Sequence, residues 1–132
     1  MVISRQHVHE MIEHARAGFP NEACGLVAST EDRAVKVYCI ENSDPSPVFY
    51  HMDPQEQLRA IMEIDDAGWD LGAIFHSHTR TSAYPSQTDV GLAHYPDALY
   101  IIVSLAAEPD PEIKAFRIKD GGIREAFLEV VE

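Results

Sequence analysis

Positive charge is what this sequence has least of: 10 lysines and arginines stand against 22 aspartates and glutamates, a formal net charge of −12 at neutral pH. With no Lys/Arg cluster to offset that balance locally, neither nucleic acid nor an anionic membrane surface is an expected partner. Cysteine is scarce as well. Cys24 and Cys39 form no CxxC pair and no dense framework, which fits a reduced cytoplasmic protein rather than a disulfide scaffold. Long hydrophobic runs are missing too: the longest, Leu99 to Ala107 interrupted by Ser104, falls far short of the ~20 residues a membrane-spanning helix needs. Met1 to Phe19 carries charges and histidines where the apolar part of a signal peptide belongs. There is no internal repeat, low-complexity segment or linker. What remains is 132 residues, 45% of them hydrophobic, the expectation for a single domain over 1–132 with a real core.

Periodicity places the elements. Val8, Met11, Ile12 and Ala15 recur at helical spacing, so Ser4 to about Arg16 reads as an amphipathic helix ended by Gly18 and Pro20. Cys24–Ser29 and Val35–Ile40 read as strands around a polar turn, and 42–47 as a loop. Asp53-Pro54-Gln55-Glu56 supplies a capping carboxylate and a proline at the first helical position, predicting a helix from Asp53 to about Ala67 that buries Leu58, Ile61 and Met62. Leu71–Phe75 and Leu99–Leu105 look like strands covered on both faces, with a short helix over Ser86–His94 between them. Ile113–Ile118 and Ile123–Val131 follow, joined by a hairpin turn at Asp120-Gly121-Gly122. The order describes a compact α/β sandwich.

The chemistry gathers where strand Leu71–Phe75 ends, in His76-Ser77-His78. Alternation along a strand sends His76 and His78 to the same side and Ser77 to the other. Two imidazoles on one face can hold one metal ion. Asp89, in the first turn of the next helix, can fold back to give a third ligand and leave an open coordination position, the pattern of a catalytic zinc site. Each half has a plainer reading: HxH as two surface histidines, and Ser86-Gln87-Thr88-Asp89 as a helix cap. His7-Val8-His9 has the same spacing on a helix, where residues two apart diverge by about 200° and share no metal. That pair and His14 read as solvated or partly packed, and His51 and His94 as structural.

Glu22, then His76-Ser77-His78, then Ser86 and Asp89 together resemble the JAMM motif of the Mov34/MPN/PAD-1 metalloproteases, and no motif position is missing. The resemblance covers essentially the whole chain. It implies an α/β fold of the cytidine-deaminase-like MPN type, a mixed sheet sandwiched by helices, with one Zn2+ per chain on His76, His78 and Asp89. Deaminase chemistry itself is disfavoured, because the PCxxC segment it needs is absent. Asn21-Glu22-Ala23-Cys24-Gly25, Ser46-Pro47-Val48-Phe49-Tyr50, His76–Thr79 and Ala83–Asp89 are most similar to the Mec-type peptidases of this family. Those are small bacterial enzymes that hydrolyse a cysteine adduct of a ubiquitin-like sulfur-carrier protein with a C-terminal Gly-Gly tail.

By that resemblance zinc activates a water at neutral pH, Glu22 moves its proton as general base and then acid, and Ser86 donates to the carbonyl oxygen as it gains charge. Ser86 as a plain helix cap, and Glu22 as an ordinary loop carboxylate, are the alternatives. Ser77 is assigned to packing or to hydrogen bonding behind the ligands, and Cys24 to the core. Phe49 and Tyr50 either line a groove for the carrier's tail or pin the second helix. Arg80, the only basic residue between His78 and Asp89, either meets the carboxylate of a departing cysteine or is solvated. Within the hydrolases, maturation of a carrier tail or cleavage of a lysine isopeptide uses the same site. A non-catalytic carrier-binding scaffold and an iron oxygenase built on the same two-histidine, one-carboxylate triad are the readings from other classes.

Overall fold

The computed structural model describes all residues from Met1 to Glu132. In chain order the elements are β1 (Val2–Ser4), α1 (Arg5–Gly18), β2 (Cys24–Thr30), β3 (Arg33–Ile40), α2 (Pro54–Asp66), β4 (Asp70–His78), α3 (Gln87–Gly91), β5 (Leu99–Ser104), β6 (Glu112–Lys119), β7 (Gly122–Ala126) and β8 (Glu129–Val131). The strands form one mixed sheet in the order β7-β6-β5-β4-β2-β3-β1-β8. β4 and β5 run parallel at its centre, and all six residues of β5 are buried. That is the two-sided burial a continuous apolar run anticipates.

Alternation along the strands sorts the core into two layers. On one face α1 buries Val8, Met11 and Ala15 against Val27, Phe75, Ile101 and Val103. On the other, Ala60 of α2 packs with Leu26, Ile74, Tyr100, Ile102 and Phe116. Each such large side chain contributes about 1.5–3 kcal/mol by leaving water. Gly25 makes room for one of them: a Cβ there would lie 2.3 Å from the Phe75 ring and 2.2 Å from the Tyr38 carbonyl oxygen.

Local signals fix both long helices. Ser4 Oγ accepts the His7 N–H to cap α1, and Asp53 accepts the Glu56 N–H to cap α2 just before Pro54. The buried face of α2 differs from the sequence expectation. Leu58 and Met62 are exposed, Ile61 is half-buried, and Ala60 and Ile64 are buried instead. Glu56 turns toward the sheet to accept the Glu41 N–H, and small Ala60 lets the helix approach closely.

The expected strand Ile123–Val131 is two strands. β7 leaves β6 through a tight turn with Asp120 and Gly121 both at positive φ, the geometry the Asp-Gly pair favours. The chain then breaks at Phe127 and Leu128, and β8 pairs in parallel with β1 at the far end of the sheet order. Only two residues separate strands on opposite edges, so the sheet must curl until those edges meet. The Met1 ammonium donates to the Phe127 carbonyl (2.9 Å) and Glu129 N–H to the Met1 carbonyl (2.9 Å), closing the corner around α1. No helix is long and apolar enough to cross a membrane.

Candidate active site

β4 extends to His78, so both motif histidines are strand residues rather than loop residues. They share the α2 face with Ile74, and His76 sits opposite Cys24 in the β2–β4 register. That pairing sets Glu22, two residues before Cys24, beside the histidines. The following loop is turned back by Ser104 Oγ donating to the Thr81 carbonyl and by the Ala83 N–H donating to Glu112 (3.0 Å). It delivers Ser86 as the cap of α3. Ser86 Oγ accepts the Asp89 N–H (3.1 Å) while an Asp89 carboxylate oxygen accepts the Ser86 N–H (2.9 Å), a closed capping box that fixes the carboxylate.

Three potential ligand groups converge. His76 Nε2 is 3.1 Å from Asp89 Oδ1, His78 Nε2 is 2.9 Å from Asp89 Oδ2, and the two Nε2 atoms are 3.3 Å apart. The ligand atoms of all three residues lie within 4.8 Å of one another. His78 Nδ1 donates to the Ser82 carbonyl (2.8 Å), which holds the ring's orientation and leaves Nε2 as the coordinating atom. Burial disfavours charge on Asp89, but hydrogen bonds from His76 and His78 outweigh it and hold the carboxyl well below the usual range. For His78 burial is likewise opposed, by hydrogen bonds to Asp89 and Ser82, and the net shift is upward. An ionised carboxylate and two convergent imidazole nitrogens form a borderline nitrogen/oxygen donor set that fits zinc.

Glu22 stands apart from that set in character. It is 5% exposed, and its Oε1 is buried without any hydrogen-bond partner in the chain. Burial first, and then the negative charge of Asp89, push its carboxyl up to about 8, against the opposing pull of His78. A buried carboxyl raised in this way, beside three residues that could hold a metal, is suited to moving protons.

The structure therefore brings Glu22, His76, His78, Ser86 and Asp89 into one neighbourhood, with Ser86 exposed and serving as the α3 cap. Ser77 points to the opposite face, where its Oγ accepts the Ala23 N–H (2.8 Å) and braces the segment carrying Glu22. Tyr50 stacks on His76 with ring centroids 4.9 Å apart, so it walls the site as well as packing against the core. It also borders a cleft lined by His51, Met52, Leu92, Tyr95 and Tyr100. Cys24 is fully buried with its thiol pushed up to about 12, chiefly by burial, and is inert. Arg80 is exposed and makes no ion pair. His7 and His9 join no ligand cluster. His14, on α1, packs edge-on to Phe75 and bonds the Cys24 and Ile40 carbonyls. Sequence reasoning did not find the Tyr50–His76 stack, because it depends on how the 42–52 loop folds over β4.

The chain is 42% identical to the CysO-cysteine peptidase of Mycobacterium tuberculosis, over all of this chain and 92% of that protein. It is 33% identical to the desampylase of Pyrococcus furiosus, over 81% and 76% of the two chains. Among solved structures, a protein from Desulfitobacterium hafniense superposes with a TM-score of 0.88 at 39% identity, covering 100% and 94%. A JAB1/MPN domain protein from Archaeoglobus fulgidus, at 24% identity and a TM-score of 0.69 with both chains fully covered, shares the fold. Residues 4–119 match the family described as prokaryotic homologs of the JAB domain, and the chain belongs to that family, the prokaryotic JAMM/MPN metallopeptidases.

Proposed function

We propose that the chain is a zinc-dependent peptidase that cuts the bond after the C-terminal glycine of a ubiquitin-like sulfur-carrier protein and so releases cysteine. The observation that carries the reading is a buried, unpartnered Glu22 carboxylate beside three convergent ligands, on a chain 42% identical from end to end to a CysO-cysteine peptidase. His76, His78 and Asp89 would hold one Zn2+ per chain, within one domain spanning 1–132. Zinc supplies Lewis-acid activation of a water at neutral pH. Glu22 would take a proton from the attacking water as the water's oxygen adds to the carbonyl carbon, and would give it to the departing amine as the C–N bond breaks. The products are the carrier's glycine carboxylate and free cysteine. Ser86 Oγ accepts the Asp89 N–H, which leaves its own O–H free to donate to the carbonyl oxygen as charge develops there. The tail of the carrier lies along the cleft beside Tyr50, and the chain is placed in the cytoplasm.

Isopeptide cleavage is the second reading, favoured by the match to the P. furiosus desampylase. That match covers less of the chain at lower identity than the peptidase match. The test is to incubate the zinc-loaded protein with a carrier bearing a C-terminal cysteine, an unmodified carrier and a lysine-linked conjugate, and to follow each by intact mass. Loss of one cysteine residue from the first alone is expected. Cleavage of the conjugate alone assigns isopeptidase activity instead, shortening of the unmodified carrier assigns maturation, and no cleavage of any substrate leaves the scaffold reading.

A further inference from the structure

Because Glu22 Oε1 makes no hydrogen bond within the chain, no partner anchors its carboxylate directly, and the backbone that carries it fixes the point from which the side chain reaches the site. Three bonds hold that backbone. Glu22 N–H donates to the Ser46 carbonyl (2.8 Å), Ala23 N–H donates to Ser77 Oγ (2.8 Å), and the Glu22 carbonyl accepts from Asn42 Nδ2 (3.0 Å). Asn42 belongs to no motif and touches no metal-ligating residue. A side-chain amide offers two N–H donors and a carbonyl with two lone pairs, and all four are used here. Nδ2 also donates to the Phe49 carbonyl (3.2 Å), while Oδ1 accepts the Asp44 and His51 N–H groups at 3.0 Å each. The loop so gathered presents Tyr50 to His76 and accepts Thr79 Oγ1 at the Pro47 carbonyl (3.1 Å).

We infer that Asn42 is a positioning residue for the hydrolysis: its amide locks the 43–51 loop to the Glu22 peptide and thereby fixes where the Glu22 carboxylate points. The inference rests on the reading of Glu22 as the proton carrier. Asparagine is needed because the Glu22 and Phe49 carbonyls both require donors. An aspartate at 42 keeps the acceptors for Asp44 and His51 but turns a carboxylate toward two carbonyl oxygens.

The test is a cycle on the zinc-loaded protein with the cysteine-bearing carrier, followed under single-turnover conditions where rates are low. Asn42→Asp and Asn42→Ala are each made alone and with Glu22→Gln, and Ser43→Ala serves as control. Ser43 Oγ donates to the His51 carbonyl in the same loop without reaching Glu22. Misplacing a reacting group by about 1 Å costs on the order of 10²-fold. The Asn42 variants are therefore expected to lose about 10- to 100-fold in kcat, with KM within about twofold and one zinc retained, while Ser43→Ala keeps its rate. With Gln at 22 the Asn42 substitution should cost nothing further, since its route is already cut. An unchanged kcat, an equal loss in both backgrounds, or unfolding or metal loss in both Asn42 variants overturns the inference. Full activity of Glu22→Gln by itself would instead overturn the reading of Glu22, and the two failures are distinct.

Discussion

Glu22→Gln separates what the residue does for the reaction from what it does to the fold. Its carboxyl is raised from 4.5 to about 8, so across that interval the unfolded chain ionises while the folded chain retains the proton. For a group raised on folding, stability is fully present below the unfolded value and is lost as pH climbs through the folded one. The lost stability levels off above about pH 8 at roughly 4–5 kcal/mol. Glutamine keeps the shape and has nothing to ionise. In urea unfolding of the zinc-stripped proteins, Glu22→Gln should be more stable than the parent by about 3–4 kcal/mol at about pH 8 and by less than ~1 kcal/mol at about pH 5. Restoring zinc should narrow the gap at the higher pH, because a cation beside Glu22 favours the carboxylate. The same variant should bind zinc and lose hydrolysis by about 10²–10⁴-fold. Equal stability differences at both pH values would refute the argument that folding holds a proton on Glu22.

His76→Ala, His78→Ala and Asp89→Ala should each lose zinc on dialysis, measured by elemental analysis, since three ligands leave no redundancy; full occupancy in all three disproves the site. Ser86→Ala should keep zinc and lose about 10²-fold in rate if its O–H meets the carbonyl oxygen. A rate unchanged beside a drop of about 1 kcal/mol in stability would leave it only the cap of α3. Arg80→Ala should raise KM for the cysteine adduct with zinc content unchanged and a lysine-linked conjugate little affected; equal effects on both substrates remove Arg80 from specificity.

The site was more legible in the sequence than the fold around it. Strand alternation alone puts His76 and His78 on one face, whereas Asp89, Glu22 and Ser86 were tied to them by the family resemblance, because their approach depends on Ser104 and Glu112 turning the intervening loop back. Asp53-Pro54 likewise announces the start of α2. The buried face of α2 was not legible, because Leu58 and Met62 are as apolar as Ile64 and the orientation of the helix depends on contacts distant in sequence, such as that of Glu56 with Glu41 just past β3. β1 and β8 are three residues each, too short to carry a pattern, and exist only through pairing with each other and with β3. Asn42 was invisible for a related reason. A lone asparagine in a polar loop has no periodic signature, and its four hydrogen bonds become apparent only once Glu22 lies next to the loop.

The closing of the sheet has a bearing on the order in which the protein is assembled. The Met1 ammonium and the Phe127 carbonyl that meet at the corner are 126 positions apart in sequence. Of the two parallel partners of β1, β3 follows soon after it in the chain, whereas β8 comes after every other strand. Until then β1 has a single registered pair with β3, Val2 with Arg33, and the apolar face of α1 has an incomplete wall. The candidate ligands His76, His78 and Asp89, like Glu22, all precede β5 in the chain, so the proposed site lies wholly on the N-terminal side of the strands that close the barrel-like curl. Pairing β8 with β1 joins segments further apart in sequence than any hairpin of the sheet does, and so carries a loop-closure cost that the local strand pairs do not.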